Sequence, residues 1–575
     1  MVMEKKLSSA ETEKENSRYL RGTVREQLGQ DTSHFDDSVK NTLKFHGIYQ
    51  QDDRDMRQTL AREGSEKHYM LMIRTKIPGG RVTADQYLKM DDLADRYGNG
   101  TFRITTRQGT QFHGVIKANL KATMSALNQQ LITTLGACGD VERNVVTCPA
   151  PLRDRGKAQV QEYARKISDH LLPKTKAYHE IWLDGEEVTS DEKEAQVEPL
   201  YGKTYLPRKF KTSIAFPGDN CVDIYAHDIG LVAKTGQDGD LSGFNVLVGG
   251  GLAMTHRKPE THPILAKPLG YVDKERILSV VEGIVKVQRD YGNRENRMRA
   301  RMKYLIEERG MEWFYGEVKR HTGFDLEPVH AMSWEETPDH LGWQLMEDGR
   351  LFCGIFVANG RIQDGIGAKI KSGFREIVET YRPEVRFTPQ QNILFVGIPL
   401  AQKEEFEEIL KDFSIREVAE IPAIERWSMA CPALPTCGLA ITEAERSLPG
   451  IIHELQEELI RLGLEEEKIT VRMTGCPNGC ARPYTSEIGL VGYGLHTYAL
   501  FLGGNFDGTR LNQIILERVQ EDAVVKTLVP VLKAFRLRRM AGEMFGDFCY
   551  RVGTEELKKI ISMKWTTKED EHGSE

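Results

Sequence analysis

The residues best suited to metal or redox chemistry in this chain are four of its nine cysteines. Cys431 and Cys437 lie in the segment Met-Ala-Cys-Pro-Ala-Leu-Pro-Thr-Cys-Gly, and Cys476 and Cys480 lie in Thr-Gly-Cys-Pro-Asn-Gly-Cys-Ala. Thiolates are strong ligands for soft and borderline metal ions. Four of them in two short segments therefore indicate a metal centre.

Three kinds of site could use these cysteines. Structural zinc sites usually draw ligand pairs with two to four intervening residues, whereas five and three residues intervene here. Disulfides need an oxidising compartment, but the cysteine count is odd and the chain starts with a polar segment. Proline and glycine beside the ligands suit a tight backbone that points amide N–H groups at sulfur, which favours an iron–sulfur cluster and leaves zinc open.

Length, charge and hydropathy narrow the class of protein. A chain of 575 residues is too long for one simple core, so several domains are expected. The formal net charge of −7 argues against a nucleic-acid-binding surface, which needs an excess of Lys and Arg. No apolar run approaches the ~20 residues that span a bilayer. Together with the polar start, this predicts a cytoplasmic protein.

A compact α+β unit is predicted near the start of the chain. The apolar segment 68–76 and the segment 101–114, which is interrupted by a Gly turn, are typical of strands. Apolar positions three and four residues apart predict helices over 84–97 and 117–135.

The sequence of this unit recurs in the second half of the chain. Gly360-Arg-Ile corresponds to Gly80-Arg-Val, and the segment Arg386–Gly397 corresponds to Arg103–Gly114. Such a repeat predicts an internal duplication, with two halves that pack about a pseudo-twofold axis.

The segments that follow each unit also correspond. Cys148-Pro-Ala matches Cys431-Pro-Ala, and Asp228-Ile-Gly-Leu-Val matches Glu487-Ile-Gly-Leu-Val. The first half has no second cysteine segment like that of the C-terminal half, so only the C-terminal half is predicted to hold a cluster. Val248-Gly-Gly-Gly lacks the G-x-G-x-x-G spacing of dinucleotide-binding sites and is predicted to be a turn.

Three charged segments offer few apolar residues to a core. Residues 1–20 and 566–575 are predicted to be disordered, and residues 21–60 are predicted to form an arm across another domain. Residues 273–309 join the two halves and are helical and rich in Arg and Lys; such charge runs are usually solvated helix faces.

The two cysteine segments together form a specific signature. A C-x5-C pair followed at a distance by Thr-Gly-Cys-Pro-Asn-Gly-Cys resembles the sulfite and nitrite reductase family, which couples a [4Fe-4S] cluster to siroheme. Within this family the chain is similar to the hemoproteins of assimilatory sulfite reduction, over residues 40 to 560 or so.

The resemblance implies an α+β fold with two ferredoxin-like half-domains and two larger α/β domains for siroheme and cluster, related by a pseudo-twofold axis. The expected divisions are an N-terminal, partly disordered arm at 1–60, the first ferredoxin-like half-domain at 61–145, the first siroheme-binding domain at 146–335, the second half-domain at 336–420, and the iron–sulfur and siroheme domain with its polar tail at 421–575.

The resemblance also assigns the cysteines. It implies that Cys431, Cys437, Cys476 and Cys480 hold the cluster and that Cys480 shares its sulfur with the siroheme iron. Asn478 is expected either to donate a hydrogen bond to the cluster or heme, or to be a plain turn residue.

Isolated basic residues beside apolar segments are the candidates for substrate binding. A guanidinium binds two oxygens of an oxyanion, and an ammonium is a mobile proton donor. The resemblance implies that Arg74 and Arg143 bind the anion and that Lys209 and Lys211, expected on one face of a strand, bind it and deliver protons. Composition alone would equally allow four surface ion pairs.

Siroheme carries eight carboxylates, so its pocket needs further cations. Arg103 and Arg107 are predicted to share a strand face, and the resemblance places them at these carboxylates. Gln111 and Lys303 match further cofactor-side positions. His113 is interpreted as structural, because the iron's proximal ligand in this family is a cysteine sulfur.

The resemblance implies six-electron reduction of sulfite to sulfide, in assimilatory sulfate reduction and cysteine biosynthesis. The alternatives are a siroheme nitrite reductase that forms ammonia and a non-catalytic iron–sulfur electron-transfer scaffold. No convincing nicotinamide or flavin motif is present, so a partner must supply electrons. An NADPH-dependent flavoprotein carrying FAD and FMN is favoured over ferredoxin.

Overall fold

The computed structural model describes residues 7–151, 155–186, 198–334 and 337–563. The chain divides into two compact units: unit 1 comprises Met1–Gly251 and Glu260–Glu420, and unit 2 comprises Leu252–Pro259 and Ile421–Glu575. None of the described helices combines the length and apolar character that a bilayer crossing requires. The polar tail predicted at 566–575 lies outside the described residues.

Strands are numbered in chain order. Those described in unit 1 are β1 (Ile48–Asp52), β2 (Tyr69–Arg74), β3 (Arg81–Val82), β4 (Phe102–Ile104), β5 (Thr110–Val115), β6 (Val146–Thr147), β7 (Thr212–Ala215), β8 (Ile229–Thr235), β9 (Leu241–Val248), β10 (Lys267–Asp273), β11 (Gly342–Leu345), β12 (Leu351–Ile355), β13 (Arg361–Ile362), β14 (Glu384–Phe387) and β15 (Ile393–Ile398). Those described in unit 2 are β16 (Ser428–Ala430), β17 (Val471–Thr474), β18 (Ile488–Gly494), β19 (Thr497–Leu502) and β20 (Gln513–Gln520).

The α-helices pack against these strands. Those described in unit 1 span Ser9–Asn16, Val24–Leu28, Lys40–Phe45, Arg57–Arg62, Ala84–Tyr97, Lys117–Gln129, Arg155–His170, Ala177–Trp182, Ile277–Tyr291, Met302–Arg309, Met311–Thr322, Ile370–Tyr381 and Lys403–Asp412. Those described in unit 2 span Ala423–Arg426, Leu448–Leu462, Val524–Arg538, Phe545–Val552 and Thr554–Ser562.

Two antiparallel sheets of unit 1 exchange a strand with each other. The first has the order β1-β2-β5-β4-β13, and the second has the order β11-β12-β15-β14-β3. Strand β13, from the second sequence repeat, pairs with β4 and sets Arg361 opposite Arg103. Strand β3, from the first repeat, pairs with β14 and sets Arg81 opposite Arg386. The matching orders and the reciprocal exchange confirm the predicted duplication.

A larger sheet in each unit repeats one topology. The order is β6-β7-β8-β9-β10 in unit 1 and β16-β17-β18-β19-β20 in unit 2. In both sheets the first three strands run parallel to one another. The fourth strand is antiparallel to the third, and the fifth is antiparallel to the fourth. The fold is therefore the predicted mixture of ferredoxin-like half-domains and larger α/β domains.

A glycine pair ends the fourth strand of each larger sheet, as the sequence predicts for a turn. Gly249 and Gly503 have φ values of +87° and +91°. At the next position a Cβ on Gly250 or Gly504 would lie 2.3 Å from a backbone carbonyl oxygen. Only glycine fits so close a backbone approach, which explains why the pair occurs in both halves.

Helix Ala84–Tyr97 has the predicted bounds. Its first turn carries a capping box, in which Thr83 Oγ1 accepts from Gln86 N at 3.2 Å and Gln86 Oε1 accepts from Thr83 N at 3.0 Å. The next predicted helix begins at Lys117 but ends at Gln129 rather than residue 135. The chain turns there, with Leu131 in the left-handed region at φ +58°.

Residues 7–60 differ from the predicted arm. In helix Ser9–Asn16 the buried Lys14 pairs with Glu11 at 2.5 Å and with Asp140 at 3.4 Å. Phe45 lies in the core of unit 1, and β1 is the edge strand of the first sheet. Sequence reasoning missed this because the segment's few apolar residues complete a core built elsewhere, and its buried charges are compensated by distant partners.

The basic segment between the repeats also differs from a solvated helix face. Arg297 pairs with Asp140 at 2.9 Å, and Arg301 pairs with Asp228 at 2.8 Å. Both carboxylates are buried, as is Arg301. These residues are therefore interior ion pairs within unit 1, which helical charge density alone does not reveal.

The strand exchange depends on close backbone approach at Gly80. This residue has φ +75°, and a Cβ here would lie 2.3 Å from the carbonyl oxygen of Phe387 on β14. Gly80→Ala should lower the apparent melting temperature by several degrees or more, because it adds a backbone clash to the conformational strain.

Gly64 provides the matched control, since it has φ +66° but nothing within 4 Å of the position that a Cβ would take. Gly64→Ala carries only the left-handed strain, about 1 kcal/mol, and should shift the melting temperature less. Differential scanning calorimetry of both variants measures this, and equal shifts would contradict the steric explanation.

Candidate metal centre and anion site

The four predicted cluster cysteines lie in unit 2, at one edge of its larger sheet. Cys431 directly follows β16, and the segment from Cys476 to Cys480 follows β17. Because β16 and β17 are parallel neighbours, their carboxyl ends meet at the same edge, where ligands of such sheets commonly bind. The topology thus brings together thiols that are far apart in sequence.

Burial and the charges of the other thiols raise the pKa values of two of these cysteines. Burial raises the pKa of Cys431 well above its ordinary value, and the charges of Cys480 and Cys476 raise it further. The pKa of Cys476 is raised to about 11, first by burial and then by the charge of Cys480. Cys437 is half-buried and Cys480 is exposed. Mutual repulsion of this kind is relieved when a cation binds the sulfurs.

Hydrogen-bond donors point at two of the sulfurs. The amide of Gly475 donates to Cys431 Sγ at 3.4 Å, and Asn478 Nδ2 donates to Cys476 Sγ at 3.5 Å. The carbonyl of Pro477 accepts from the amide of Met254 at 2.9 Å, which fixes the loop between the last two cysteines. Converging thiols with N–H donors aimed at sulfur fit an iron–sulfur cluster.

A row of polar side chains crosses the first half-domain sheet of unit 1. Arg74 on β2 lies opposite Gln111 on β5, and Gln111 lies opposite Arg103 on β4. Arg103 in turn lies opposite Arg361 on β13. Residues directly opposite on neighbouring strands share a face, so three guanidinium groups line one face of this sheet. Arg103 Nη1 donates to Gln111 Oε1 at 3.4 Å.

His113 lies two residues beyond Gln111 on β5 and so shares its face. Its imidazole is buried, and burial lowers its pKa well below the ordinary value, with the charges of Arg361, Arg103 and Arg74 acting in the same direction. A neutral ring packed among these arginines is compatible with the predicted structural role.

A second group of cations surrounds Lys211. The pKa of Lys211 is held well below its ordinary value, first by burial and then by the charges of its neighbours, which are Lys209, Arg107, Arg301 and Arg143. Burial disfavours a charged amine, and four cations add to this. An anionic ligand would relieve the repulsion, so the group fits both the carboxylates of siroheme and an oxyanion.

The sequence predicted that Lys209 and Lys211 lie within a strand, but the structure places both just before one. Strand β7 begins at Thr212, and Lys209 and Lys211 immediately precede it in extended chain. Phe210 between them forms a single bridge to Glu142. Phe210 is buried and the two lysines are partly exposed, as the predicted alternation of faces requires. The β-pairing at this point consists of that single bridge.

Arg107 also departs from the prediction of a shared strand face with Arg103. It lies in the turn after β4 rather than on the strand. Its guanidinium donates to the carbonyl of Asn144 and lies 3.1 Å from His227 Nδ1. The turn, closed by Gln108 with φ +60°, begins earlier than the strand pattern indicated.

The two predicted anion-binding arginines meet at one aromatic residue, Tyr49 on β1. Arg74 lies over its ring at 5.7 Å and donates from Nη1 to Cys138 Sγ at 3.1 Å. Burial raises the pKa of Tyr49 to about 12, while the charges of Arg143 and Arg74 oppose the shift. Arg143 itself donates to the carbonyl of Gly139 at 3.2 Å.

Lys303 lies at the glycine turn that ends β9. Its Nζ donates to the carbonyl of Gly251 at 2.9 Å and to that of His262. The pKa of Lys303 falls to about 6, first through burial and then through the charge of Arg301. Its predicted role toward the cofactor stays a prediction.

Three residues of these cationic groups were given no role in the site from the sequence. Arg361 joins the first row only through strand exchange, and Arg301 reaches Lys211 from the inter-repeat segment. Lys76 is buried with no hydrogen-bond partner for Nζ among the described residues, and burial lowers its pKa to about 8. Its interruption of an apolar segment was the available signal.

The chain matches two families of known domains. The nitrite and sulphite reductase 4Fe-4S domain matches residues 162–326 and 426–569. The nitrite/sulfite reductase ferredoxin-like half domain matches residues 62–130 and 344–413. The chain belongs to the nitrite and sulphite reductase family. Each domain matches twice, as the repeated sheets require, and the cysteines from 431 to 480 fall within the second 4Fe-4S match.

Named relatives extend over nearly the whole chain. A protein of Staphylococcus saprophyticus subsp. saprophyticus named sulfite reductase [NADPH] hemoprotein beta-component is 46% identical over 96% of this chain and 96% of its own length. A protein of Methylorubrum populi with the same name is 46% identical over 93% of this chain and 88% of its own. Members of this family with that name thus match both halves.

A solved structure, that of the Mycobacterium tuberculosis NirA protein, has the same fold. It superposes with a TM-score of 0.79, covers 96% of this chain and 98% of its own, and is 23% identical in sequence. At that identity the likeness establishes the architecture and carries nothing about substrate.

The cluster assignment can be tested with a pair of buried cysteines in unit 2. Cys431→Ser should remove most of the acid-labile sulfide and the low-temperature electron paramagnetic resonance signal of the reduced cluster, because serine is a poor ligand for iron–sulfur centres. Cys549→Ser changes an equally buried thiol outside the predicted ligand set and should retain both. Loss in the two variants alike would contradict the assignment.

Proposed function

We propose that this chain is a sulfite reductase hemoprotein, which reduces sulfite to sulfide with six electrons, protons being consumed and three waters released. The observation that carries the proposal is 46% identity over 96% of both chains to a protein named sulfite reductase [NADPH] hemoprotein beta-component. The cations near Lys211 support it independently, because a cluster of positive charges suits a small oxyanion.

Siroheme and a [4Fe-4S] cluster are the cofactors, and when bound they pass electrons one at a time to the substrate. Cys431, Cys437, Cys476 and Cys480 would hold the cluster, and Cys480 would also serve as the cysteine ligand on the siroheme side, so that electrons could pass between the two cofactors. The exposure of Cys480 supports this second role, since the other ligands are more buried. Asn478 stabilises the cluster through its hydrogen bond to Cys476.

The cations of unit 1 are assigned the binding of siroheme and of sulfite. Arg103 and Arg107 would hold carboxylates of siroheme, and Gln111 and Lys303 would lie on the side of the cofactor. Guanidinium groups suit this task because they remain charged and bind carboxylate oxygens in pairs.

Arg74 and Arg143 bind the sulfite oxygens, while Lys209 and Lys211 bind the anion and supply protons. Lys211 is suited to proton transfer because its lowered pKa brings its proton closer to release at neutral pH. The lysines therefore both attract the anion and donate protons to it, whereas the arginines only attract the anion.

The domain divisions and the physiological setting belong to the same proposal. In this proposal the two ferredoxin-like half-domains and the two larger domains have the boundaries expected from the sequence. The N-terminal segment is not a separate arm, because Lys14 pairs with Asp140 and β1 at Ile48–Asp52 joins the first half-domain sheet. A flavoprotein that oxidises NADPH supplies electrons, and the product enters cysteine biosynthesis. The cytoplasm is the proposed location, since thiolates that bind iron need a reducing compartment.

The direct test is steady-state turnover of the siroheme- and iron-loaded chain with reduced methyl viologen as artificial donor. A higher kcat/KM for sulfite than for nitrite, with sulfide as the product, is expected. A preference for nitrite with ammonia as product would move the assignment to the alternative substrate. No turnover of either by loaded protein would leave an electron-transfer scaffold.

The roles of Lys211 can be separated by two substitutions. Lys211→Met should lower kcat/KM for sulfite by about 100-fold or more, because both charge and proton donor are lost. Lys211→Arg should keep KM low but lower kcat, since guanidinium binds anions without releasing its proton. Lys166→Met, at an exposed lysine paired with Glu162, is the control and should leave both constants unchanged.

The same variants predict a pH dependence. The neutral amine no longer attracts an anion, so the wild-type KM for sulfite should rise as pH rises through the lowered pKa of Lys211. The KM of Lys211→Arg should stay lower across that range because arginine remains charged. Loss of siroheme from Lys211→Met, visible in its absorption spectrum, would instead make Lys211 a cofactor ligand.

A further inference from the structure

A second group of ligand-type side chains lies in unit 1, apart from the predicted cluster cysteines. It consists of Cys148, Asp219, Cys221 and His340, whose ligand atoms all lie within 4.8 Å of one another. All four are buried, with exposed fractions between 1% and 7%. Nothing in the proposed sulfite chemistry uses them.

The contacts within this group are short and incomplete. His340 Nε2 lies 3.3 Å from Cys148 Sγ and 3.2 Å from Asp219 Oδ2. Asp219 Oδ1 accepts from the amide of Cys221 at 2.9 Å. Its other oxygen, Oδ2, is buried and has the 3.2 Å contact with His340 but no hydrogen bond of acceptable geometry within the described residues. A buried carboxylate oxygen that lies beside a thiol and an imidazole is stabilised by a positive charge, which either a protonated imidazole or a bound metal ion can supply.

The group occupies the counterpart of the cluster position in the duplicated fold. Cys148 directly follows β6, the first strand of the larger sheet of unit 1, as Cys431 directly follows β16. Cys221 lies in the loop between the second and third strands, eight residues before Ile229; Cys480 lies eight residues before Ile488. These two isoleucines begin β8 and β18.

The first half has thus retained two of the four thiols in register. Cys148 is recognisable in the sequence from the repeated Cys-Pro-Ala, whereas Cys221 has no second cysteine near it. The remaining two donors have changed: Asp219 stands at the register position of Asn478, and His340 comes from the chain just before β11.

We propose that Cys148, Asp219, Cys221 and His340 bind a single Zn²⁺ ion in a closed, four-coordinate structural site. Zinc is held by thiolate, imidazole and carboxylate at about 2.0–2.3 Å in tetrahedral sites, which separates neighbouring ligand atoms by about 3.3–3.8 Å. Donor atoms all within 4.8 Å of one another suit one ion rather than a cluster of four irons. The mixture of two sulfurs, one nitrogen and one oxygen is also a zinc set.

The surroundings hold the ligand-bearing loops in place. Gln161 Nε2 donates to the carbonyl of Cys148, and Gln390 Nε2 donates to that of Cys221, both at 2.7 Å. Arg386 Nη1 donates to the carbonyl of Pro149 at 2.7 Å and lies close enough for its charge to interact with Cys148. This cation offsets part of the negative charge that two thiolates and a carboxylate bring.

His340 is placed at some conformational cost. It has φ +57°, in the left-handed region that β-carbon sterics disfavour for residues other than glycine. Gly354 on β12 accommodates it, since a Cβ there would lie 1.9 Å from the carbonyl oxygen of His340. A residue held in this way, with its ring against a thiol and a carboxylate, indicates that the ring position matters.

The site would tie two parts of unit 1 together. Cys148 and Cys221 belong to the larger sheet, whereas His340 begins the second half-domain, and Phe352 and Leu394 of that half-domain pack in the same buried cluster as both cysteines. A zinc ion here would crosslink the half-domain to the larger sheet, so its role is structural.

Two metal-free arrangements of the same residues are the competing outcomes. In the first, the charges of Cys148 and Asp219 raise the pKa of His340 to about 10 against the effect of burial, leaving a buried ion pair. In the second, Cys148 and Cys221 are joined by a disulfide. Neither arrangement retains zinc.

The test is the metal content of the full-length, cofactor-loaded chain, expressed with zinc supplied and purified without chelators. Mass spectrometry of the ashed protein should find close to one zinc per chain. X-ray absorption at the zinc edge should show two sulfur and two nitrogen or oxygen ligands. This measurement on the wild type does not depend on whether any variant folds.

Variants locate the ion. Cys221→Ser and His340→Gln should lose most of the zinc, and Cys353→Ser, at a buried thiol outside the group, should keep it. Siroheme absorption and acid-labile sulfide serve as checks that the loaded enzyme is intact. A wild type without zinc, a Cys148–Cys221 disulfide found by peptide mass mapping, or equal zinc in all variants would overturn the proposal.

Discussion

Repulsion among clustered, partly buried cations is the constraint on which the functional part of unit 1 depends. Lys211 is partly removed from water and lies near four further positive charges. Both effects lower its pKa and favour release of its proton. Ion pairs such as Arg301 with Asp228 offset part of this cost. The arrangement becomes favourable when an anion binds, which is why carboxylate-rich siroheme and a small oxyanion fit it. The free energy that this repulsion costs the folded chain is therefore regained when an anion binds.

Duplication explains how one topology supplies two kinds of site. Parallel strands at the start of each larger sheet end at the same edge, so residues that follow them meet there. In unit 2 that edge carries the four predicted cluster thiols. In unit 1 it carries two thiols, a carboxylate and an imidazole packed too closely for a cluster. The half-domain sheets show the same divergence: Gln111 lies opposite Arg103 on one, and Leu394 lies opposite Arg386 on the other.

Features that depend on the spacing of neighbouring residues could be predicted from the sequence alone. The cysteine segments, helix Ala84–Tyr97 and the paired glycine turns all depend on neighbouring residues, and the repeats made the duplication visible. Features that depend on long-range register were missed. Arg361 reaches Arg103 only because β13 crosses to the other sheet, and His340 meets Cys148 from 192 residues away. The buried partners of Lys14 likewise made a polar segment ordered, which composition could not indicate.

The central claim is that the cations around Lys211 exist to bind anions. A crystal structure of the siroheme-loaded chain with sulfite bound measures this most directly, through the distances from the cationic side chains to siroheme carboxylate and sulfite oxygens. We predict that Arg74, Arg143, Lys209 and Lys211 lie within hydrogen-bond distance of sulfite oxygens, with Arg103 and Arg107 at siroheme carboxylates. Side chains that instead face water or internal carboxylates, with sulfite held elsewhere, would contradict the account.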